Sequence, residues 1–388
     1  MSCAILAFHN TPSGRYAWWD DFPQLLASRL AEYGIDFHAF YCDYHADSAW
    51  PANHRRPVPF EALGHRKWLR AEVVPLLRQY DSVILHTHSY YAPNHLWMQI
   101  AGQPRRWWYM TEHRIGSTEA PLWKRSLRSL GRELGIGPHK VFAVSDAGAC
   151  RAAALFGQQR VLRIHNGIRL PRGYPPPRRD ARPTRALYVG RLDPKKGITE
   201  LVMAFRVLRD RGSDASLDVV GGGPLEVPLK EFVAAYGLGD RVRLWRHQPD
   251  PKWFYRKADF VVIPTRIQEA LSLVSLEARC HRLPAIYANS GGLPETRSHG
   301  IDGLALPSVS PEEIANSVDE LQADPARYAR MSFNCTRGLD YFSIDRMVDE
   351  YLREYLTQFA SVAGVPIAAD VAPSVTVLAG GNSQRTDQ

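Results

Sequence analysis

Phe260-Val261-Val262-Ile263-Pro264-Thr265-Arg266-Ile267-Gln268-Glu269-Ala270-Leu271-Ser272-Leu273-Val274-Ser275-Leu276-Glu277-Ala278 is the stretch on which the fold turns. Its first four residues form an unbroken apolar run, the mark of a parallel strand buried on both faces. Pro264 ends the run because it brings no backbone N–H to a sheet. A helix is expected to begin at about Glu269 to Leu271, which puts Glu269 at its N-terminus and Glu277 about two turns in. Free backbone N–H groups and the positive end of a helix dipole then lie beside two carboxylates that can accept hydroxyl hydrogen bonds. A ligand carrying both phosphate and polyol suits that combination, and a nucleotide sugar is the common molecule of that kind.

Outward from this unit, short apolar runs alternate with amphipathic segments, the pattern of a doubly wound parallel sheet. Upstream, strands are expected at 4–8, 36–41, 82–86, 107–110, 140–144 and 161–164, with helices at 22–33 and 68–79 between them. Asn166-Gly167 closes that half with a turn. Residues 171–183, with Pro175-Pro176-Pro177 and several arginines, can form neither helix nor sheet interior and read as an interdomain linker. The grammar then restarts, with strands at 186–190, 216–220, 242–245, 260–263, 284–287 and 303–306. Helices are expected at 199–209, 225–236, 271–282 and 311–323. The fold class is therefore α/β, with two Rossmann-like domains facing a central cleft. Residues 361–388 lack period and read as a disordered tail.

The chain has 388 residues, long for one core and suited to two. With 45% hydrophobic and 23% charged residues its composition is that of an ordinary globular enzyme. No run of about 18 apolar residues marks a transmembrane helix. The start, Met1-Ser2-Cys3-Ala4-Ile5-Leu6, reads as a first buried strand rather than a signal peptide. Five scattered cysteines without CxxC spacing fit reduced thiols and a cytoplasmic location. The formal charge of +8 comes from dispersed basic residues, which argues against nucleic acid. Attraction to a phosphorylated substrate or peripheral contact with an anionic membrane at its inner face fits better, beside the plain alternative of a solvated basic surface.

Three glycine-bearing turns follow strands of the second half. Gly190-Arg191-Leu192-Asp193-Pro194-Lys195-Lys196-Gly197 sets Arg191 and Lys196 at a strand's carboxyl end, where open α/β sheets bind ligands. Two such cations suit a diphosphate, although a solvated turn would look the same. The segment is not GxxxxGK[ST], which disfavours a P-loop enzyme. Val219-Val220-Gly221-Gly222-Gly223-Pro224 allows close approach of a nucleotide or simply makes a tight turn. Ser290-Gly291-Gly292-Leu293-Pro294-Glu295 is as readily a backbone bend as a direct contact. His86-Thr87-His88 offers two imidazoles but no third metal ligand at suitable spacing, so a core or cleft pair is the plainer reading. Asp20-Asp21 and Asp43 with Asp47 lack the Asp-x-Asp spacing that holds a divalent cation on a diphosphate. Trp18, Trp19, Trp107 and Trp108 could stack on a sugar, or pack in the core.

Taken in order, Gly190-Arg191 with Lys196-Gly197, Gly221 to Pro224, Glu269 with Glu277, and Gly291 to Glu295 resemble the retaining glycosyltransferases of family 4, which have the GT-B fold. The likeness is dense over residues 187–307 and weaker upstream through Val144-Ser145 and Asn166-Gly167. It implies a first domain over 1–170, a nucleotide-sugar domain over 184–341, and a C-terminal helix at about 342–360 that crosses back onto the first.

The resemblance also implies roles. Arg191 and Lys196 would bind the donor diphosphate and stabilise the departing nucleoside diphosphate, with Gly190 and Gly222 leaving room for the donor. Glu269 would hold sugar hydroxyls, the backbone N–H groups at Leu271, Ser272 and Leu273 would contact phosphate with Ala270 beside them in the donor site, and Glu277 would accept ribose hydroxyls. His113 matches the first-domain histidine that reaches the donor sugar. The family usually follows its first glutamate with Gly-Phe-Gly; Ala270-Leu271-Ser272 stands here, expected to narrow the space around the sugar while retaining every backbone donor. The family's double-glycine loop near the N-terminus is replaced by Pro12-Ser13-Gly14-Arg15-Tyr16, whose Gly14, Arg15 and Tyr16 are the acceptor-side candidates. The partners implied are a UDP- or GDP-type sugar and a hydroxyl acceptor, either a lipid-linked glycan or a small molecule, with neither cofactor nor metal.

Overall fold

The computed structural model describes residues 1–9, 17–42, 55–58, 69–88, 105–112, 138–178 and 182–363. The upstream part is a seven-stranded sheet of β1 (Cys3–His9), β2 (Ile35–Cys42), β3 (Arg55–Val58), β4 (Ser82–His88), β5 (Arg106–Glu112), β6 (Lys140–Ala143) and β7 (Val161–Arg163). Their order is β3-β2-β1-β4-β5-β6-β7, and every pairing is parallel. Helices α1 (Ala17–Ala31), α2 (Val74–Gln79) and α3 (Asp146–Phe156) lie between strands in the chain.

β1 shows why its sequence is apolar without alternation. Ile5 and Ala7 join one core with Phe22, Leu26 and Leu30 of α1, while Ala4, Leu6 and Phe8 join another with Phe40, Leu76 and Leu77. A strand covered on both faces has no solvent side to leave polar. Two elements differ from expectation. β3 is an unexpected strand, because Arg55-Arg56-Pro57-Val58 carries little β signal; it lies at the sheet edge, where a proline costs no ladder bond. The helix expected over 68–79 is a wide turn over Leu69–Val73 followed by α2, and Pro75, without an N–H, sits in the first turn of α2.

The downstream part repeats the architecture with β8 (Arg185–Val189), β9 (Ser216–Val220), β10 (Val242–Trp245), β11 (Phe260–Ile263), β12 (Ala285–Ala288) and β13 (Gly303–Leu306). The order is β10-β9-β8-β11-β12-β13, again all parallel. Helices α4 (Ile198–Asp210), α5 (Glu226–Ala235), α6 (Lys252–Lys257), α7 (Leu273–Cys280), α8 (Pro311–Ala323) and α9 (Pro325–Asn334) complete it. Side chains of α4, α5 and α8 share one core with Tyr188 and Val262, whereas α6 and α7 pack with Leu187 and Val261 on the opposite face. The winding direction therefore reverses between β8 and β11. Two doubly wound sheets of this kind are the GT-B architecture that the resemblance implies.

The last helix among the described residues, α10 (Ile344–Ala363), returns to the first sheet. Ile344, Met347, Val348, Tyr351, Leu352, Tyr355 and Phe359 recur at helical spacing and are buried against Ile5, Phe22, Leu26 and Phe142. Burial of each such side chain contributes roughly 1.5–3 kcal/mol. Polar groups at the ends of β4 and β5 are satisfied in the same interface. His86 binds the Tyr355 hydroxyl through Nδ1 and Thr111 Oγ1 at 2.6 Å through Nε2, and Tyr109 donates to Gln358 at 2.9 Å. His86 is thus a core histidine; the side chain of His88 is not among those the structure describes. Trp107 packs edge-on to Phe359, and Trp108 donates to Thr87 at 2.9 Å. α10 runs to Ala363, past the expected start of the tail, and residues 364–388 lie outside the described residues.

Candidate functional site

The reversal between β8 and β11 opens a crevice at the carboxyl ends of these two strands, the place where open α/β sheets bind ligands. After β8, the Leu192 N–H donates to Gly222 O at 3.0 Å, and Gly221 abuts the carbonyl of Gly190 so closely that a Cβ would stand 1.9 Å from its oxygen. These contacts lace the Gly190 turn to the glycine turn after β9. Asp193 caps the short turn Pro194–Lys196 by accepting from Lys195 N at 3.0 Å, and Gly197 then adopts a left-handed φ of +67° to start α4. This turn carries the Lys196 ammonium across the crevice onto the Glu269 carboxylate. Side chains from loops after two neighbouring strands on opposite sides of the reversal so form one ion pair, 30% exposed at Lys196 and 17% at Glu269. Arg191 is the freer cation, 69% exposed, with a long 3.7 Å approach to Asp193. Such an exposed contact holds a side chain weakly.

Glu269 does not sit in the helix. It lies in the loop from β11 to α7, and α7 begins at Leu273 after a non-helical Ser272 whose Oγ accepts the Ser275 N–H at 3.3 Å. Ser272 is an N-cap, so it sets the helix start two to four residues later than the apolar spacing suggests. The cap occupies a donor beyond the Leu271 to Leu273 segment expected to face phosphate. The Ser275 N–H is engaged, leaving the Leu273 and Val274 N–H groups at the first turn without an intrahelical acceptor. Leu271 is buried among Val144, Ile168, Leu276 and Phe342, and Ala270 is packed at its edge. The loop is held from below by Gly292 N–H donating to Glu269 O at 2.7 Å, and from the side by Arg266 N–H donating to Lys195 O at 2.9 Å.

Glu277 lies in the second turn of α7 and forms a separate unit. Its Oε2 accepts from the Tyr255 hydroxyl at 2.7 Å, and the Tyr255 ring stacks on His281 at 5.2 Å. Burial raises the Glu277 carboxyl above its ordinary value; the Tyr255 hydrogen bond opposes that, Asp250 adds to it, and Lys252 offsets it. A raised folded pKa means that the desolvated carboxylate destabilises the fold at pH values above it. The penalty vanishes once pH falls below the unfolded value of 4.5. Glu277→Gln is therefore expected to raise the melting temperature of the ligand-free chain at pH 7, with the gain shrinking as pH is lowered. Equal melting temperatures at pH 7 would contradict this.

Gly222 leaves open space over its Cα: a methyl group added there would meet only His247 Cβ, at 3.8 Å. His113, Gly14, Arg15 and Tyr16 lie outside the described residues. Sequence reasoning missed a further cluster at the seam of the two halves. Glu295 accepts from the backbone N–H groups of Asp146 at 2.7 Å and Ala147 at 3.0 Å, the first two residues of α3, and from His165 Nε2 at 2.7 Å. Arg163 donates to His165 Nδ1 at 2.8 Å, so that nitrogen is the acceptor and Nε2 carries the proton given to Glu295. Burial alone would raise the Glu295 carboxyl, but the His165 and backbone hydrogen bonds outweigh it and hold it below the ordinary value. Among the described residues, Asp146, His165 and Glu295 are grouped closely enough to hold a metal ion, yet these hydrogen bonds and the 2.9 Å Arg163–Asp146 pair already engage them.

Residues 176–337 match the family described as glycosyl transferases group 1. Over this stretch the chain is similar to that family. The Mycolicibacterium smegmatis protein named GDP-mannose-dependent alpha-(1-6)-phosphatidylinositol monomannoside mannosyltransferase is 30% identical over 237 residues, covering 56% of this chain and 61% of its own length. The chain thus spans about three fifths of that relative. The D-inositol 3-phosphate glycosyltransferase of Thermobispora bispora is 28% identical over 366 residues, covering 80% and 83%. The fold is shared with Anabaena Alr3699/HepE in complex with UDP and glucose, at a TM-score of 0.72, 20% identity, and coverage of 92% of this chain and 99% of that one. No helix among the described residues is long and apolar enough to cross a membrane.

Proposed function

We propose that this chain transfers a sugar, with retention of anomeric configuration, from a UDP- or GDP-type sugar to a hydroxyl acceptor. The observation that carries the reading is the Lys196–Glu269 pair at the carboxyl ends of β8 and β11. An ammonium has three N–H donors, so Lys196 can keep Glu269 in place while turning a donor to phosphate, and Glu269 keeps further lone pairs for sugar hydroxyls. Arg191, free to swing, closes on the diphosphate as a bidentate fork.

The chemistry is leaving-group assistance. The bond from the anomeric carbon to the β-phosphate oxygen breaks, and Lys196, Arg191 and the Leu273 and Val274 N–H groups stabilise the charge left on the diphosphate. The acceptor oxygen bonds to the same face of the oxocarbenium-like sugar, and its proton passes to the departing phosphate. The residues do this without a divalent cation, and turnover is expected to persist in excess EDTA. Glu277 would receive the ribose hydroxyls, so the variant Glu277→Gln, stabilised when empty, should bind nucleoside diphosphate about tenfold or more weakly. Hydrogen bonds to charged groups contribute about 1.5–3 kcal/mol.

The mannosyltransferase relative, named for a phosphatidylinositol monomannoside, supports a lipid-linked glycan as acceptor. A surface polysaccharide is the product proposed for such an acceptor. The Thermobispora relative, named for D-inositol 3-phosphate, favours a second reading with a small polar acceptor. A thermal-shift screen of nucleotide sugars, followed by product analysis with each acceptor class, tests the proposal. A donor at about 100 times its Kd adds about 2.7 kcal/mol to stability. A chain stabilised by no nucleotide sugar would not be a transferase of this type.

A further inference from the structure

The loop between β12 and β13 touches both halves of the molecule. On one side Gly291, at φ +61°, lies against the Glu269 backbone, where a Cβ would stand 2.2 Å from its carbonyl oxygen, and the Gly292 N–H donates to the same carbonyl at 2.7 Å. On the other side Gly292 abuts Ser145, the residue that caps α3, and Glu295 fills the N-terminus of α3 and binds His165. Between these grips the segment is a tight turn, with the Glu295 N–H donating to Gly292 O at 3.3 Å and Thr296 N–H to Leu293 O at 3.0 Å. Thr296 Oγ1 also donates to Ser275 Oγ at 2.8 Å, in the first turn of α7. One rigid turn so joins the first domain to both the Glu269 carbonyl and the N-terminus of α7.

From this arrangement we infer that Glu295 is a positioning residue, which registers the first domain against the loop that holds Glu269 and thereby sets the reacting geometry of the donor. The inference rests on the proposed transferase reading of the site. The Glu295 carboxylate is 17% exposed and His165 4%, so the clasp is a formed contact rather than a surface encounter. Its three donors come from the first domain, and an acid at the N-terminus of an 11-residue helix gains from the helix dipole as well. If the clasp loosens, the turn it anchors can shift, and Glu269 and the α7 N–H groups shift with it. A misplacement of about 1 Å at reacting groups can cost about 10²-fold in rate. A nucleoside diphosphate that lacks the sugar does not call on Glu269 and keeps Arg191, Lys196 and Glu277 as partners, so its binding falls far less than kcat does.

The test compares the full chain with Glu295→Gln, His165→Ala, the double variant and Glu295→Asp. kcat and donor KM are measured with the nucleotide sugar found by the screen, Kd with the matching nucleoside diphosphate, and thermal stability alongside. Glu295→Gln should lower kcat about tenfold or more while Kd for the nucleoside diphosphate stays within about threefold. The double variant should be little worse than its worse single, as residues acting through one contact are not additive. Glu295→Asp, charged but one methylene short, should lose kcat while keeping its melting temperature, which covers the case of a misfolded glutamine variant. Unchanged kcat in Glu295→Gln overturns the inference. So does a fall in kcat matched by equal losses of diphosphate affinity and stability in both Glu295 variants, and so does additivity of the two single variants. If the unmodified chain turns over no nucleotide sugar, the reading of the site itself has failed, a result distinct from active wild type with an indifferent Glu295 variant.

Discussion

Lys196→Ala should reduce turnover at saturating donor by about 10²-fold or more, the range for removing one preorganised group that stabilises developing charge. Lys196 faces Glu269 at the crevice between β8 and β11. Its loss removes a cation proposed to face the leaving phosphate and leaves the half-buried Glu269 carboxylate without its counter-charge, so the proposed sugar-holding group is perturbed too. The short Pro194–Lys196 turn that carries the lysine is capped by Asp193 and not by Lys196, so the backbone survives the change. Lys196→Arg, which keeps the charge but spreads it over a planar fork, should recover part of the rate. Wild-type turnover in the alanine variant, measured as release of nucleoside diphosphate, would remove Lys196 from the chemistry.

Gly197→Ala is the second large effect, and it acts first on the fold. Gly197 has φ +67°, and a Cβ there would stand 1.8 Å from the carbonyl oxygen of Pro264. The left-handed backbone costs a non-glycine residue about 1–3 kcal/mol. Forcing a methyl against a packed backbone adds about 1–3 kcal/mol more. A loss of roughly 2–6 kcal/mol should appear in denaturant unfolding, with lost activity besides, because the displaced strand end leads into the Glu269 loop. Gly212→Ala supplies the control: φ there is +75°, but nothing lies within 4 Å of the added methyl. Only the backbone strain remains at that site, so it should be clearly the milder variant. Equal effects at the two positions would mean that the Pro264 contact does not matter.

Much of this can be read from the sequence, and the reasons for success and failure differ by residue. The strand Phe260–Ile263 is legible because layers on both faces demand an unbroken apolar run. Lys196 and Glu269 are legible because each follows a strand end with glycine or proline punctuation. The start of α7 is easily misplaced because Ala270 and Leu271 continue the apolar spacing of the helix although they pack outside it. Ser272, with Ser275 three residues on, is the capping signal that could have placed it. Tyr255 as the partner of Glu277 is not legible, since nothing in a six-residue helix points to a residue 22 positions away. His165 and Glu295 are 130 residues apart and meet only because the halves are seated on one another. In the sequence Glu295 stands out only as part of a glycine bend.

The path of α10 has a bearing on how the molecule is made. Residues 1–163 supply the first sheet, but Tyr351, Tyr355 and Phe359 of the closing helix fill its core and partner His86, Thr111 and Tyr109. A ribosome delivers that helix only after the strands of both sheets. The downstream lobe has all its strands in hand sooner, so the half that is synthesised first is the half that finishes folding second, with an apolar sheet face waiting for its cover as the remainder of the chain emerges.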